Sequence, residues 1–334
     1  MQIMIFASGG GHTAYAVAVG ERLKEYIGGE SIIFITPEND RWSVERITKR
    51  IPGSRVVEIT KPLKPLEPYT LLLKRIMKAF RESLERINEE QGIMICTGSN
   101  HNLIPVLIGK FLRKHHIFCI EDVFRIKRRS RTVNIINRVA KAPVFLQWKI
   151  QEKLYRNGIY AGLVFEKPLY KPFNGGYILV TTGTIGNREL FKLLIKTRLD
   201  NLVIQSGAIK PEKIMVKNRY WKIFQFDPDI DKWIAGASLV IASPGITAIN
   251  AVQAYGKPTI MVYNPDIVLG ASFNEIKYVA DNMGIPFIDP RKISPRDFEK
   301  LVEEPSDIKI IKHRDGAQYI ARYIISFMKD TTYV

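Results

Sequence analysis

The residues best suited to chemistry lie in three loops and around one histidine. Ser8-Gly9-Gly10-Gly11-His12-Thr13 follows an apolar run and opens a segment of helical period. Its free backbone N–H groups and the helix dipole suit a phosphate or diphosphate. In the second half, Thr181-Thr182-Gly183-Thr184-Ile185-Gly186 and Ser243-Pro244-Gly245-Ile246-Thr247 also follow apolar runs. Two such loops in one domain suit a nucleotide diphosphate: Pro244 starts a turn or helix, Gly245 lets backbone approach ligand, and Thr247 supplies a hydroxyl. A histidine titrates near neutrality, so His12 is the candidate general base, with Glu121 and His101 as alternatives. Taken alone, His12 reads as a helix-entry residue bonded to backbone; its place in a ligand-facing loop favours a catalytic role. The first loop also fits a loose dinucleotide fingerprint through Gly9, Gly11 and Ala14, with Glu38 as ribose partner. Glu38, however, falls 29 residues after Gly9, where about 20 is usual. Asp227-Pro228-Asp229-Ile230-Asp231 offers closely spaced carboxylates, but it sits between a strand and a helical stretch and reads as turn and cap. No metal or other cofactor is expected.

The elements that must position these loops alternate along the chain: a short apolar run, a turn, then a helical period, which is the pattern of parallel sheets with crossover helices. Strands are expected at 2–7, 31–36, 55–59, 93–96, 117–120 and 144–148, then at 177–182, 202–205, 221–226, 239–242, 259–262 and 286–288. The fold class is α/β, two Rossmann-like doubly wound domains. A linker at 165–176, with Pro168 and Pro172, separates a domain at 1–170 from one at 171–315 and turns the carboxyl ends of both sheets to one cleft, where open sheets bind ligands. A helix within 316–334 is expected to pack back across the junction.

With 334 residues, 46% hydrophobic and 25% charged, the chain has the composition of a two-domain globular protein. It has no apolar run long enough to span a membrane and no secretory leader at its start, and Cys96 and Cys119 lie in apolar runs, so a reducing, cytoplasmic setting is expected. The formal charge of +17 attracts polyanions or anionic membranes. Leu72, Leu73, Ile76, Met77, Phe80, Leu84 and Ile87 recur at helical spacing among Lys74, Arg75, Lys78 and Arg81, a basic amphipathic helix. Pro62, Pro65 and Pro68 precede it, and residues 125–141 carry seven basic side chains and no acid. Such a helix either docks on an anionic surface or packs its apolar face on its own sheet. Nucleic acid would also answer the charge, but paired glycine loops are not needed for that and no nucleic-acid motif is present.

Taken together, the motifs resemble the two-subunit eukaryotic transferase that adds the second GlcNAc to dolichyl-diphosphate-GlcNAc, with both subunits in one chain. SGGGHT, TGSNHNLIP (97–105), IEDVFRIK (120–127) and FLQW (145–148) resemble the acceptor-side, membrane-recruiting subunit. VTTGT (180–184), VIQSG (203–207) and ASLVIASPGITAINAVQAYGKPTIMV (237–262) resemble the catalytic subunit. The chain is also similar to the bacterial transferase that completes lipid II, a GT-B enzyme. The resemblance implies a GT-B fold and inverting transfer of GlcNAc from UDP-GlcNAc to a lipid-diphosphate-linked sugar, for N-glycosylation. The donor would meet Thr182, Gly183, Thr184, Gln205, Ser243, Pro244, Gly245, Ile246, Thr247, Asn250 and Asn274. The acceptor would meet Gly9, Gly10, Gly11, Thr13, Ser99, Asn100, His101 and Arg125. Such an acceptor implies a peripheral place on the cytoplasmic face of an anionic membrane, with room for a homo-oligomer. The chain departs from these families in three places: Asn250 stands where a ribose-binding glutamate is usual, Ser272-Phe273-Asn274 replaces the polar pair that contacts the donor sugar, and Ala14-Tyr15 replaces an acidic residue after the histidine loop. Transfer of another UDP-sugar, or a nucleotide-binding scaffold without turnover, are the alternatives.

Overall fold

A computed structural model describes residues 1–63, 69–215, 219–267 and 270–332; Pro65 and Pro68 lie outside them, and Pro62 is buried. The chain forms two compact units, residues 1–166 with 314–334, and residues 167–313. The breaks fall at 166/167 and 313/314, a few residues before the expected 170/171 and 315/316.

The strands of unit 1 are β1 (Ile3–Phe6), β2 (Ile32–Pro37), β3 (Arg55–Ile59), β4 (Ile93–Cys96), β5 (His116–Ile120), β6 (Val144–Leu146) and β7 (Gly158–Tyr160). They form a parallel sheet of order β3-β2-β1-β4-β5-β6-β7. The crossovers are α1 (Gly11–Ile27), α2 (Arg41–Arg50), α3 (Leu72–Arg86), α4 (Leu103–Phe111) and α5 (Arg131–Val139). Because both faces are covered, the strands are apolar at nearly every position instead of alternating. On one face, Met4, Phe6, Ile35, Met94, Cys96, Cys119 and Val144 pack with Ala79, Val106, Val133 and Ile136 from α3, α4 and α5. Cys96 and Cys119 are adjacent in register, buried and free. β7 is the one strand of this sheet that sequence pattern misses, being three half-buried residues at an edge.

Unit 2 contains β8 (Tyr177–Thr181), β9 (Leu202–Gln205), β10 (Lys222–Phe224), β11 (Ala237–Ala242), β12 (Thr259–Val262) and β13 (Phe287–Ile288), with α6 (Arg188–Lys196), α7 (Ile230–Gly236), α8 (Ile246–Gln253), α9 (Phe273–Met283) and α10 (Pro295–Glu303). The parallel order is β10-β9-β8-β11-β12-β13. The last helix, α11 (Gly316–Thr332), belongs to unit 1 and packs on α1. Its Tyr323 and Phe327 meet Phe118 and Phe145 of the sheet edge-on, with centroids 5.3–5.9 Å apart.

Strand order decides where ligands can sit. In an open parallel sheet the crevice lies beyond the carboxyl ends, where the order reverses. That point falls between β1 and β4 in unit 1 and between β8 and β11 in unit 2. The loops leaving these four strands are the ones that carry the glycine motifs.

Candidate active site

In unit 1 the loop after β1 opens α1, with Gly10 at the N-cap and no side chain capping it. Gly10 and Gly11 are exposed. His12 is half-buried, and its Nδ1 lies 2.5 Å from the Thr97 carbonyl oxygen. A carbonyl only accepts, so Nδ1 carries the proton and Nε2 keeps its lone pair. Burial lowers the His12 pKa, the Asp122 charge raises it, and Lys61 lowers it. Gly98, at φ 95°, turns the loop after β4 in a conformation side chains rarely adopt, and a Cβ there would stand a tight 3.3 Å from Val133 Cγ2.

Several of the expected acceptor residues are held by hydrogen bonds within the protein. The Gly9 N–H donates to Thr13 Oγ1 at 2.9 Å, Thr13 Oγ1 donates to Ser43 Oγ at 2.6 Å, and Ser43 donates on to Asp40. That chain commits the Gly9 amide and the Thr13 hydroxyl to the loop. His101 is fully buried between the Ser8 hydroxyl (3.0 Å) and the Ile59 carbonyl (2.9 Å), and burial pushes its pKa down to about 3. It is a buried, neutral link between the loop after β1 and the end of β3, with both ring nitrogens engaged. Ser99 accepts the His101 N–H. Asn100 exchanges two hydrogen bonds with the Leu63 backbone, and Asn102 receives the Thr97 and Gly98 amides at 3.0 Å.

Glu121 is held in the same way. Its carboxylate is buried and accepts from the Asp122 and Ser130 amides, the Ser130 hydroxyl and the Tyr155 hydroxyl, an anchor for the turn into α5. Burial raises its pKa against those four donors. The adjacent Asp122 is the carboxylate whose charge reaches His12, and the Tyr15 hydroxyl donates toward it at 3.5 Å. FLQW builds the same loop. Gln147 donates to the Glu121 carbonyl, Trp148 Nε1 donates to the Val123 carbonyl, and Gln151 donates to those of Asp122 and Arg125. Arg125 therefore has its backbone fixed in this loop, with its side chain half-exposed.

In unit 2 the loops after β8 and β11 line one pocket: Thr181, Thr182, Gly183, Thr184 and Ile185 on one side, Ser243, Pro244, Gly245 and Thr247 on the other, and Ile267 beside them. α8 starts at Ile246, two residues before the expected Ala248, so the amides of Ile246 and Thr247 belong to its open first turn. Gly207, at φ 64°, presses the loop after β9 against the first loop, since a Cβ there would lie 2.4 Å from the Gly183 carbonyl. Thr182 spends its hydroxyl on the Gln205 carbonyl, and the Gln205 side chain accepts from Thr181 Oγ1 (2.9 Å each). Gln205 is thus buried behind the loop and is not among the residues that line the pocket. Asn250 is 2% exposed and does not line the pocket. Ser272 is held in a capping box by Glu275, and Asn274 is exposed in the first turn of α9, also outside the pocket lining.

Two supports went unnoticed in the sequence. Asn187 caps α6 and donates to Ser243 Oγ at 3.3 Å, and Asn264 donates to the Gly186 carbonyl at 2.7 Å. The Asn264-Pro265 pair is an ordinary turn signal that hid the second. The carboxylates at 227–231 bond to protein groups: Asp227 to Lys232 and Trp233, Asp229 to Tyr170, and Asp231 to Tyr255.

Fold and switch-point loops together define a two-domain α/β protein of GT-B architecture. Residues 177–307 match the glycosyltransferase family 28 C-terminal domain. The chain is 22% identical over 318 residues to the UDP-N-acetylglucosamine–N-acetylmuramyl-(pentapeptide) pyrophosphoryl-undecaprenol N-acetylglucosamine transferase of Sulfurihydrogenibium sp. strain YO3AOP1, covering 90% of this chain and 89% of that one. In fold it is similar to MurG of Acinetobacter baumannii, with TM-score 0.61 at 15% identity over 97% of this chain and 99% of that one. It is equally similar to the UDP-GlcNAc 2-epimerase of Neisseria meningitidis bound to UDP-GlcNAc, with TM-score 0.61 at 12% identity over 99% and 100%.

Proposed function

We propose that the chain is an inverting, metal-independent glycosyltransferase that moves GlcNAc from UDP-GlcNAc to a lipid-diphosphate-linked sugar, with His12 as base. The observation that carries this reading is the His12 ring, tied through Nδ1–H to Thr97 with Nε2 left as acceptor beside a glycine loop. The acceptor hydroxyl attacks the anomeric carbon, its proton passes to Nε2, and the bond from that carbon to the diphosphate oxygen breaks with inversion, releasing UDP. Proton removal by a placed base is worth about 10² to 10⁴ in rate. Within unit 2, the amides at the start of α8 and the loop at Gly183–Thr184 suit the negative charge of a diphosphate.

Both the donor and the acceptor class have support among the relatives. The Sulfurihydrogenibium relative is named for GlcNAc transfer to an undecaprenol-linked acceptor, and the epimerase fold-relative holds UDP-GlcNAc. The order of motifs in unit 1 favours a dolichol-type acceptor and the second GlcNAc of an N-glycosylation precursor. On α3, Leu73, Met77 and Phe80 are 48–70% exposed, beside Lys74 and Lys78. This stripe supports peripheral docking on an anionic, cytoplasmic-face membrane. No helix among the described residues is long and apolar enough to cross a membrane.

A second reading, a nucleotide-binding scaffold without turnover, is favoured by the buried Asn250 at the position where a ribose contact was expected. One assay separates them: purified protein, labelled UDP-GlcNAc, other UDP-sugars, and dolichyl- and undecaprenyl-type diphosphate acceptors, with and without EDTA, beside His12→Ala. Transfer that survives EDTA and falls about 10²-fold or more in the variant supports the enzyme. UDP binding with no transfer from any donor supports the scaffold.

A further inference from the structure

The segment that follows β3 is clamped on both sides of one cation. At Thr60, the backbone N–H donates to the buried carboxylate of Glu82 on α3 at 2.7 Å. At Leu63, the backbone N–H and carbonyl pair with Asn100 at 3.2 and 3.1 Å. Between them, Lys61 Nζ donates to the Ser8 carbonyl at 2.9 Å, at the head of the glycine loop. We infer that Lys61 is a further substrate-positioning residue of the His12 site: it fixes the glycine loop through Ser8 and supplies the cation that a phosphate-bearing acceptor meets. The inference rests on the acceptor chemistry proposed above.

The arrangement is more than a loop fastening. A neutral donor could also close on the Ser8 carbonyl, though less strongly than an ammonium, and a positive charge here works against protonation of both nearby histidines. The groups acting on His12 are Asp122 from the loop after β5, the Thr97 carbonyl after β4, and Lys61 after β3. Of these, Lys61 alone brings positive charge. Two consequences follow from one ammonium group: it adds to burial, the larger cause, in favouring the neutral form of His12, and an anion arriving at Gly10 and Gly11 finds a cation already in place, with little ordering left to do. Glu82 and Asn100, which hold the backbone on either side, thereby act through Lys61.

The test uses the full chain with three substitutions. Lys61→Gln keeps a donor for the Ser8 carbonyl and removes the charge, Lys61→Arg keeps the charge, and Lys61→Met removes both. His12 is followed by NMR with labelled histidine, assigned through His12→Ala, during a pH titration and a titration with inorganic pyrophosphate. In Lys61→Gln the His12 pKa should rise by about half a unit or more. Pyrophosphate binding, and the KM for the lipid-diphosphate acceptor, should weaken about 10-fold or more, as for a lost charge-assisted hydrogen bond. The KM for UDP-GlcNAc should not move, and Lys61→Arg should restore the rest. Gln behaving like the native chain in both titrations overturns the inference and leaves Lys61 as a loop fastening. If the native chain transfers no sugar but its pyrophosphate response depends on Lys61, the transferase reading fails and the anion site stands.

Discussion

At the scale of single residues, the state of His12 follows from what each ring nitrogen faces. Nδ1 is fixed as a donor by the Thr97 carbonyl, so only Nε2 exchanges its proton with solvent or substrate. Burial lowers the pKa below the ordinary value of about 6.5. A lowered histidine pKa keeps the neutral, basic form populated at more acid pH. The acid limb of kcat/KM against pH should therefore centre below 6.5, with activity rising as pH increases through that midpoint. A profile measured with saturating UDP-GlcNAc checks this; a midpoint at or above 6.5 would contradict the buried, neutral base. The place of His12 at a helix start after three glycines was legible in the sequence. Its neighbours were harder, because Glu121 and Asp122 are consecutive in sequence and only the fold decides which carboxylate turns inward. Glu121 became the anchor of the α5 turn, and Asp122 was left to act on His12. Thr13, His101 and Gln205, expected as ligand contacts, are also bonded within the protein, since a loop of glycines needs polar side chains to hold its shape.

At the scale of elements, the strands and the switch-point loops were legible because buried parallel strands are short apolar runs and glycine loops punctuate them. What periodicity could not decide was which way α3 presents its apolar stripe. Its buried positions are Ala79, Glu82 and Ser83, so small and polar groups face the sheet while Leu73, Ile76, Met77 and Phe80 stay exposed. Burying Glu82 is affordable because its carboxylate holds the Thr60 amide and lies 3.6 Å from Lys78. An unpacked stripe beside Lys74 and Lys78 is suited to a membrane interface, where each basic residue adds about 1 kcal/mol and apolar burial adds more. Leu73→Ser with Phe80→Ser should abolish flotation with anionic vesicles, while turnover of a water-soluble, short-chain acceptor stays within about two-fold, as surface changes remote from the chemistry allow. Unchanged flotation would assign vesicle binding to another surface.

At the scale of the whole chain, unit 1 is closed by residues that come last in sequence. α11 contributes Ala317, Ile320, Ala321 and Ile324, all fully buried, besides the aromatic contacts of Tyr323 and Phe327 with the sheet. The points where the chain leaves and re-enters unit 1 are both fastened by arginines: Arg46 grips the buried Glu166 with two nitrogens, and Arg22 reaches Asp315 at 2.9 Å while also pairing with Glu21. The sequence led to the expectation of a terminal helix packing back across the junction, but not to its contacts, because the pairing of residue 22 with residue 315 is long-range with no local signal. Fully burying an Ile side chain is worth about 1.5–3 kcal/mol, so the two isoleucines of α11 alone supply a large share of the 5–15 kcal/mol that separates a folded domain from its unfolded state. A chain ending at His313 should therefore lose the unfolding transition of unit 1, whereas unit 2, with residues 167–313 intact, should keep its own transition and its UDP affinity within about three-fold, as expected for a domain with its own core. Calorimetric melting with a UDP titration reads both. Two intact transitions after truncation would show that α11 is dispensable to unit 1, and loss of both transitions would show that unit 2 does not fold without a complete first unit.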